Sequence, residues 1–170
     1  MARTAQQVLT VPSDTKYLAK VRKVVMEVLA DGSFPPTKAN LIALAVDEAV
    51  ANIIEHAYGR RPGDPAPNGD EIVLVLNLRP DRFEVTIRDK GTGFDPRGAP
   101  GVDLREHVQE GRKGGLGIFL IKRIMDEVQY ESTQGSQNEL RLIKYVDEAA
   151  GANKSRTSPS NDGRENRPAS

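Results

Sequence analysis

Residues 72–89 read IVLVLNLRPDRFEVTIRD. Two runs in it alternate apolar and polar side chains, Ile72 to Leu78 and Phe83 to Arg88, and Arg79-Pro80-Asp81-Arg82 joins them. A period of two across a short polar turn predicts a half-buried antiparallel pair with one apolar face. That face needs covering, and the sequence on both sides supplies helices to do it.

Upstream, Gln7 to Val11 alternates weakly and stops at Pro12, as a short strand would. Ser13 or Asp14 is placed to cap a helix in which Leu18, Val21, Val25, Val28 and Leu29 recur at helical spacing, ending near Asp31-Gly32. After Pro35-Pro36, Thr37 is the expected cap of a second helix running to about Tyr58, with Leu41, Leu44, Ala45 and Ile53 toward the core. Gly59 to Asp70 holds three prolines and three glycines and reads as a loop.

Downstream, Phe94 to Lys113 is poor in apolar residues and rich in Gly, Pro and charge, so a long loop is expected, with one helical turn around Val102 to Val108. Loops of that length are unusual in a compact domain unless they have a job. Helical spacing resumes from Gly117 to Asp126, and Glu127 to Ser132 with Leu140 to Val146 forms a last hairpin around Gln134-Gly135-Ser136. The order β-α-α-β-β-loop-α-β-β predicts an α+β fold, a two-layer sandwich with helices packed on one face of a mixed, mostly antiparallel sheet. Residues 1–147 form the expected domain. Residues 148–170, nearly all small, polar or charged, read as a disordered tail.

The 170 residues carry 24 basic and 24 acidic side chains, so net charge draws the chain to neither nucleic acid nor an acidic membrane. With no cysteine and only His56 and His107, disulfides, thiolate zinc sites and a cysteine nucleophile are excluded, and any metal is expected to be held through oxygen. No run approaches the roughly 20 apolar residues of a membrane span, which points to a cytoplasmic location.

Three segments carry chemistry. Glu48 and Asn52 stand four residues apart on the second helix, one turn apart on one face, with Glu55 and His56 near the same stripe. An amide oxygen suits magnesium, and a nearby carboxylate can deprotonate a hydroxyl. Asp89-Lys90-Gly91-Thr92-Gly93-Phe94 follows directly on a strand, where a carboxylate can accept from the exocyclic amine of adenine and two glycines let the backbone approach a planar ring. Gly114-Gly115-Leu116-Gly117, preceded by Arg112 and Lys113, opens a helix whose free N–H groups and dipole receive phosphate. Singly these are also a solvated helix face, an ordinary turn and a flexible linker. Neither a Walker loop nor a dinucleotide-binding glycine fingerprint is present.

In that order, across residues 7 to 146, the three segments resemble the N, G1 and G2 boxes of the GHKL ATPases, with the intervening loop as ATP lid. Asp47-Glu48-Ala49-Val50-Ala51-Asn52 with Glu55-His56-Ala57-Tyr58, the Asp89 segment, and Gly114-Leu116-Gly117-Ile118 with Asp126-Glu127-Val128 are similar to bacterial anti-sigma-factor serine kinases. The resemblance implies ATP and Mg2+ as cofactors, Asn52 on the magnesium, Glu48 as general base and Asp89 on adenine. It implies nucleotide contacts from Gly91, Gly93, Phe94, Lys113, Gly114, Gly115, Leu116 and Gly117. Some members place a Gly-Thr pair in the last hairpin with the threonine at adenine; here that stretch reads Gly135-Ser136-Gln137-Asn138, and Asn138 is the candidate substitute.

The function so implied is a serine/threonine protein kinase that sequesters an RNA polymerase sigma factor and phosphorylates an anti-anti-sigma (STAS-type) partner. Direct contact with nucleic acid or membrane is not expected, and a homodimer is possible. The alternatives are a nucleotide-gated partner switch without kinase activity and a histidine-kinase-like ATPase domain. The helix from Asp14 to Ala30 lacks the phospho-acceptor histidine the latter normally needs.

Overall fold

The computed structural model describes residues 4–61, 63–67, 69–93, 95–98, 116–133 and 136–147. The expected turn at Val102–Val108, four of the candidate site residues (Phe94, Lys113, Gly114 and Gly115) and the tail 148–170 lie outside these.

Five strands form one sheet in the order β1-β2-β3-β5-β4: β1 Ala5–Pro12, β2 Glu71–Leu78, β3 Arg82–Asp89, β4 Glu127–Thr133 and β5 Gln137–Tyr145. All four pairings are antiparallel. The alternation read from 72–89 sets the faces, since Ile72, Leu74, Leu76 and Leu78 are buried opposite Phe83, Val85 and Ile87. A one-residue slip would turn this whole apolar set to solvent, so the register is strongly specified.

The helices are α1 Leu18–Ala30, α2 Pro36–Asn52 and α3 Leu116–Ile124. They cover the apolar face of the sheet, and α2 packs against α1 and against α3. Its buried stripe uses small residues, Ala39, Ala43, Ala45 and Ala49, beside Ile42, Val46 and Val50, which lets the neighbouring helices approach closely. Among the described residues no helix is long and apolar enough to cross a membrane.

Local chemistry moves some expected boundaries. Asp14 is the cap, but of a short 3-10 turn, Thr15–Tyr17, that leads into α1; its carboxylate accepts from Lys16 N–H at 2.9 Å, and that bond holds its pKa below the ordinary value. Thr37 caps nothing. The second helix starts two residues earlier, at Pro36, whose missing N–H costs nothing in a first turn, and no side-chain cap is made. Leu41 is 48% exposed rather than in the core, because it lies on the flank of the buried stripe. Past Asn52 the helix widens into a single π turn, Ile53–Ala57, closed by Tyr58 N–H to Ile53 O at 3.2 Å. Such turns are frequent at functional sites.

Candidate functional site

Two groups of side chains gather where α2, α3 and the β3 end of the sheet converge. The first is built on α2. Glu48 and Asn52 share a face, and α3 crosses it with Gly117 in its first turn: a Cβ on Gly117 would fall inside the contact shell of Glu48 Oε2 and 3.6 Å from Asn52 Nδ2. Any side chain at Gly117 would displace the Glu48 carboxylate from its present position.

Neither side chain is at ease there. Asn52 Nδ2 is buried with no hydrogen-bond partner among the described residues, which ordinarily costs about 1–3 kcal/mol. Burial pushes the Glu48 carboxyl above its ordinary value, the adjacent Asp47 charge adds to the rise, and Arg22 opposes it. Arg22 reaches from α1 to pair with Asp47. Arg22 was not singled out in the sequence, and Asp47 was quoted there without a role; the signal was an acid directly beside the expected base.

The second group is built on strand ends. Asp89 closes β3 and stands opposite Asn138 at the start of β5, which in turn pairs with Ser132 on β4. Asp89 Oδ1 accepts from Gly91 N–H at 2.8 Å and from Asn138 Nδ2 at 2.9 Å, Asn138 Nδ2 also donates to Gly91 O at 3.0 Å, and Ser132 Oγ donates to Asn138 Oδ1 at 2.7 Å. Asp89 and Asn138 are each only 4% exposed, so this is a buried network with its partners made. Both bonds to Asp89 use Oδ1, which leaves Oδ2 for a ligand donor. Gly93 has φ +93°, open to glycine at little cost, and a Cβ there would stand 3.0 Å from Tyr130 Oη and 3.3 Å from Asn138 Oδ1.

Of the residues singled out in sequence, the structure thus brings Glu48, Asn52 and Gly117 together, and Asp89, Gly91, Gly93 and Asn138 together. Leu116 opens α3 and is 42% exposed. Glu55 and His56 fall on the π turn and are exposed. Ser132 was not anticipated; it is an exposed strand residue opposite Asn138, and nothing in its local sequence marks it.

The donor set can be tested against magnesium and a nucleoside triphosphate. No group of three or more His, Cys, Asp or Glu capable of holding a metal gathers among the described residues. Magnesium, which keeps its waters and binds through one or two protein oxygens plus phosphate, needs no such group. The unused Asn52 amide fits, because a half-turn of its terminal torsion exchanges nitrogen for oxygen.

A family model described as a histidine kinase-like ATPase domain matches residues 11–144. Curated relatives are named serine-protein kinase RsbW. One from Bacillus cereus is 29% identical over 150 residues, 86% of this chain and 88% of that one, and one from Bacillus thuringiensis subsp. konkukian is 28% identical over the same shares.

Proposed function

This chain belongs to the histidine kinase-like ATPase family, and from that premise we propose that it is an ATP- and Mg2+-dependent protein serine/threonine kinase. It sequesters a sigma factor in the cytoplasm and phosphorylates a serine or threonine of an anti-anti-sigma partner. The observation that carries the reading is the meeting of a desolvated carboxylate, Glu48, and an unpartnered amide, Asn52, under the first turn of α3. The names of the curated relatives support the serine kinase assignment.

Asp89 receives the adenine amine through Oδ2, with Asn138 and Gly91 fixing the carboxylate and Gly93 leaving room for the ring. Asn52 would hold magnesium through its amide oxygen. Magnesium bound with the triphosphate supplies charge neutralisation for phosphoryl transfer. Glu48 takes the proton of the partner's hydroxyl as that oxygen bonds to the transferred phosphorus and the bond to the departing diphosphate breaks. Its burial raises its basicity, which suits the role. The phosphate adds about −1.5 to −2 charge to the partner and loosens its grip, which couples transfer to partner exchange.

The test incubates the full chain with γ-labelled ATP, magnesium and candidate anti-anti-sigma proteins, with ATP binding measured alongside. Alkali-sensitive, acid-stable label on a partner serine or threonine is expected. Binding without transfer identifies a nucleotide-gated switch, and acid-labile label on histidine identifies a histidine-kinase-like activity.

A further inference from the structure

The Asp89–Thr92 turn is held from behind by the last residue of the π turn, Ala57, and by Tyr58 after it. Thr92 donates to Ala57 O twice, from N–H at 2.9 Å and from Oγ1 at 3.1 Å. Gly91 lies so near that a Cβ would stand 2.6 Å from the same oxygen. Tyr58 Oη accepts from Lys90 N–H at 3.0 Å and donates to Glu71 O at 3.3 Å. Three successive residues of the turn are therefore indexed on Ala57 and Tyr58.

Tyr58 is itself braced by the loop 59–70. The Arg60 guanidinium lies 5.7 Å from the centre of its ring, pairs with Asp70 and donates to Pro65 O at 2.8 Å. The Asp70 carbonyl accepts from Ser13 N–H at 2.9 Å, which ties the far end of the loop to the end of β1. Burial pushes the Tyr58 phenol above its ordinary value, so it stays protonated and a donor at neutral pH.

We propose that Tyr58 is a positioning residue for base recognition: through the Lys90 peptide it sets where the Asp89 carboxylate stands, with the loop 59–70 as its brace. This rests on the ATP reading above. Adenine offers Asp89 a 6-amino donor, whereas hypoxanthine offers a 6-oxo acceptor that the carboxylate repels. Discrimination of that kind depends on the carboxylate being held in place.

Tyr58→Phe keeps the ring and its contact with Arg60 and removes only Oη. Competition against a fluorescent ATP analogue, with magnesium present, measures ATP and ITP affinity for the full chain, for Tyr58→Phe and for Arg60→Gln. Tyr58→Phe is expected to weaken ATP about fivefold, the worth of one net hydrogen bond, and to leave ITP within about twofold. Arg60→Gln is expected to narrow the preference in the same direction by less. Equal loss of both nucleotides, as a general loosening would give, or no loss of ATP, overturns the proposal alone. A folded, unaltered chain that binds ATP no better than ITP overturns the adenine reading, and the proposal with it.

Discussion

The two halves of the candidate site are built in opposite ways. Around Asp89 hydrogen bonds close a ring of three residues, Asp89, Gly91 and Asn138, with Ser132 bonded to Asn138, so that the carboxylate is held in place with Oδ2 left for a ligand donor. Around Glu48 a partly desolvated carboxylate sits beside a second acid, and an amide nitrogen is buried with no partner among the described residues. One end is settled by its own hydrogen bonds, and the other carries unmet polar groups that a ligand could satisfy. Strain of this kind is kept where function needs it. Recognition of a flat base wants a fixed frame, while proton abstraction wants a base raised above the ordinary carboxylate.

The sharpest way to break this contrast is Glu48→Gln. Phosphotransfer is expected to fall about 10²–10⁴-fold while ATP binding is kept, measured by label transfer and by competition binding. Stability should move the other way. The folded-state pKa of Glu48 lies above the ordinary 4.5, so the contribution of its protonated form is present below about that pH and lost as pH rises through the raised value. At neutral pH the charged form costs stability, and Glu48→Gln should melt higher than the unaltered chain. In the active protein the acidic limb of the pH–rate profile should sit above that of an ordinary glutamate. Asp47→Asn should shift it down and Arg22→Gln further up, since Asp47 raises and Arg22 lowers the same group.

A pair of alanine substitutions sharpens the comparison. At Gly91 the added methyl meets backbone, the Ala57 carbonyl at 2.6 Å, which cannot move without the helix end. Gly91→Ala is expected to cost roughly 2 kcal/mol, or about 5 °C in thermal melting. At Gly117 the methyl meets the tip of the Glu48 side chain, which can swing aside. Gly117→Ala is therefore expected to leave the melting temperature within about 2 °C and to lower kcat about tenfold by displacing the base, with little change in ATP affinity.

Much of the fold was legible because hydrophobic period carries it. The nearly continuous apolar run Ile72 to Leu78 marked the strand, the alternation of Phe83 to Arg88 marked the face of its partner, and the spacing of Val21, Val25 and Val28 placed α1. Leu41 misled because one apolar residue on the margin of a stripe has the same local pattern as one inside it. Thr37 misled because capping propensity is local, whereas Pro36 already supplies a first helical residue that needs no N–H bond. At the candidate site, the shared face of Glu48 and Asn52 was legible from their spacing of four, and Asp89 from its place at a strand end. Their partners were not, since Ser132 and Tyr58 act through contacts 6 and 32 residues away in sequence that only strand register and helix packing bring together. Nothing in the sequence distinguishes the settled half from the unsettled one.

The smallest effect is expected at Asn138. Its amide does three things at once: it donates to Asp89 Oδ1 and Gly91 O from Nδ2 and accepts from Ser132 Oγ through Oδ1. A threonine hydroxyl has a single donor hydrogen, so Asn138→Thr can keep the bond to Asp89 or the one to Gly91 but not both. The lost bond is worth about 0.5–1.5 kcal/mol, and the shorter side chain is more β-compatible at this strand position, which offsets part of it. ATP affinity is therefore expected to fall only about threefold, with kcat unchanged, because the perturbation stays in the half proposed to hold the adenine. A fall in kcat at saturating ATP would mean that the two halves are coupled through the Asp89–Gly91 turn and that the settled ring also governs the glutamate.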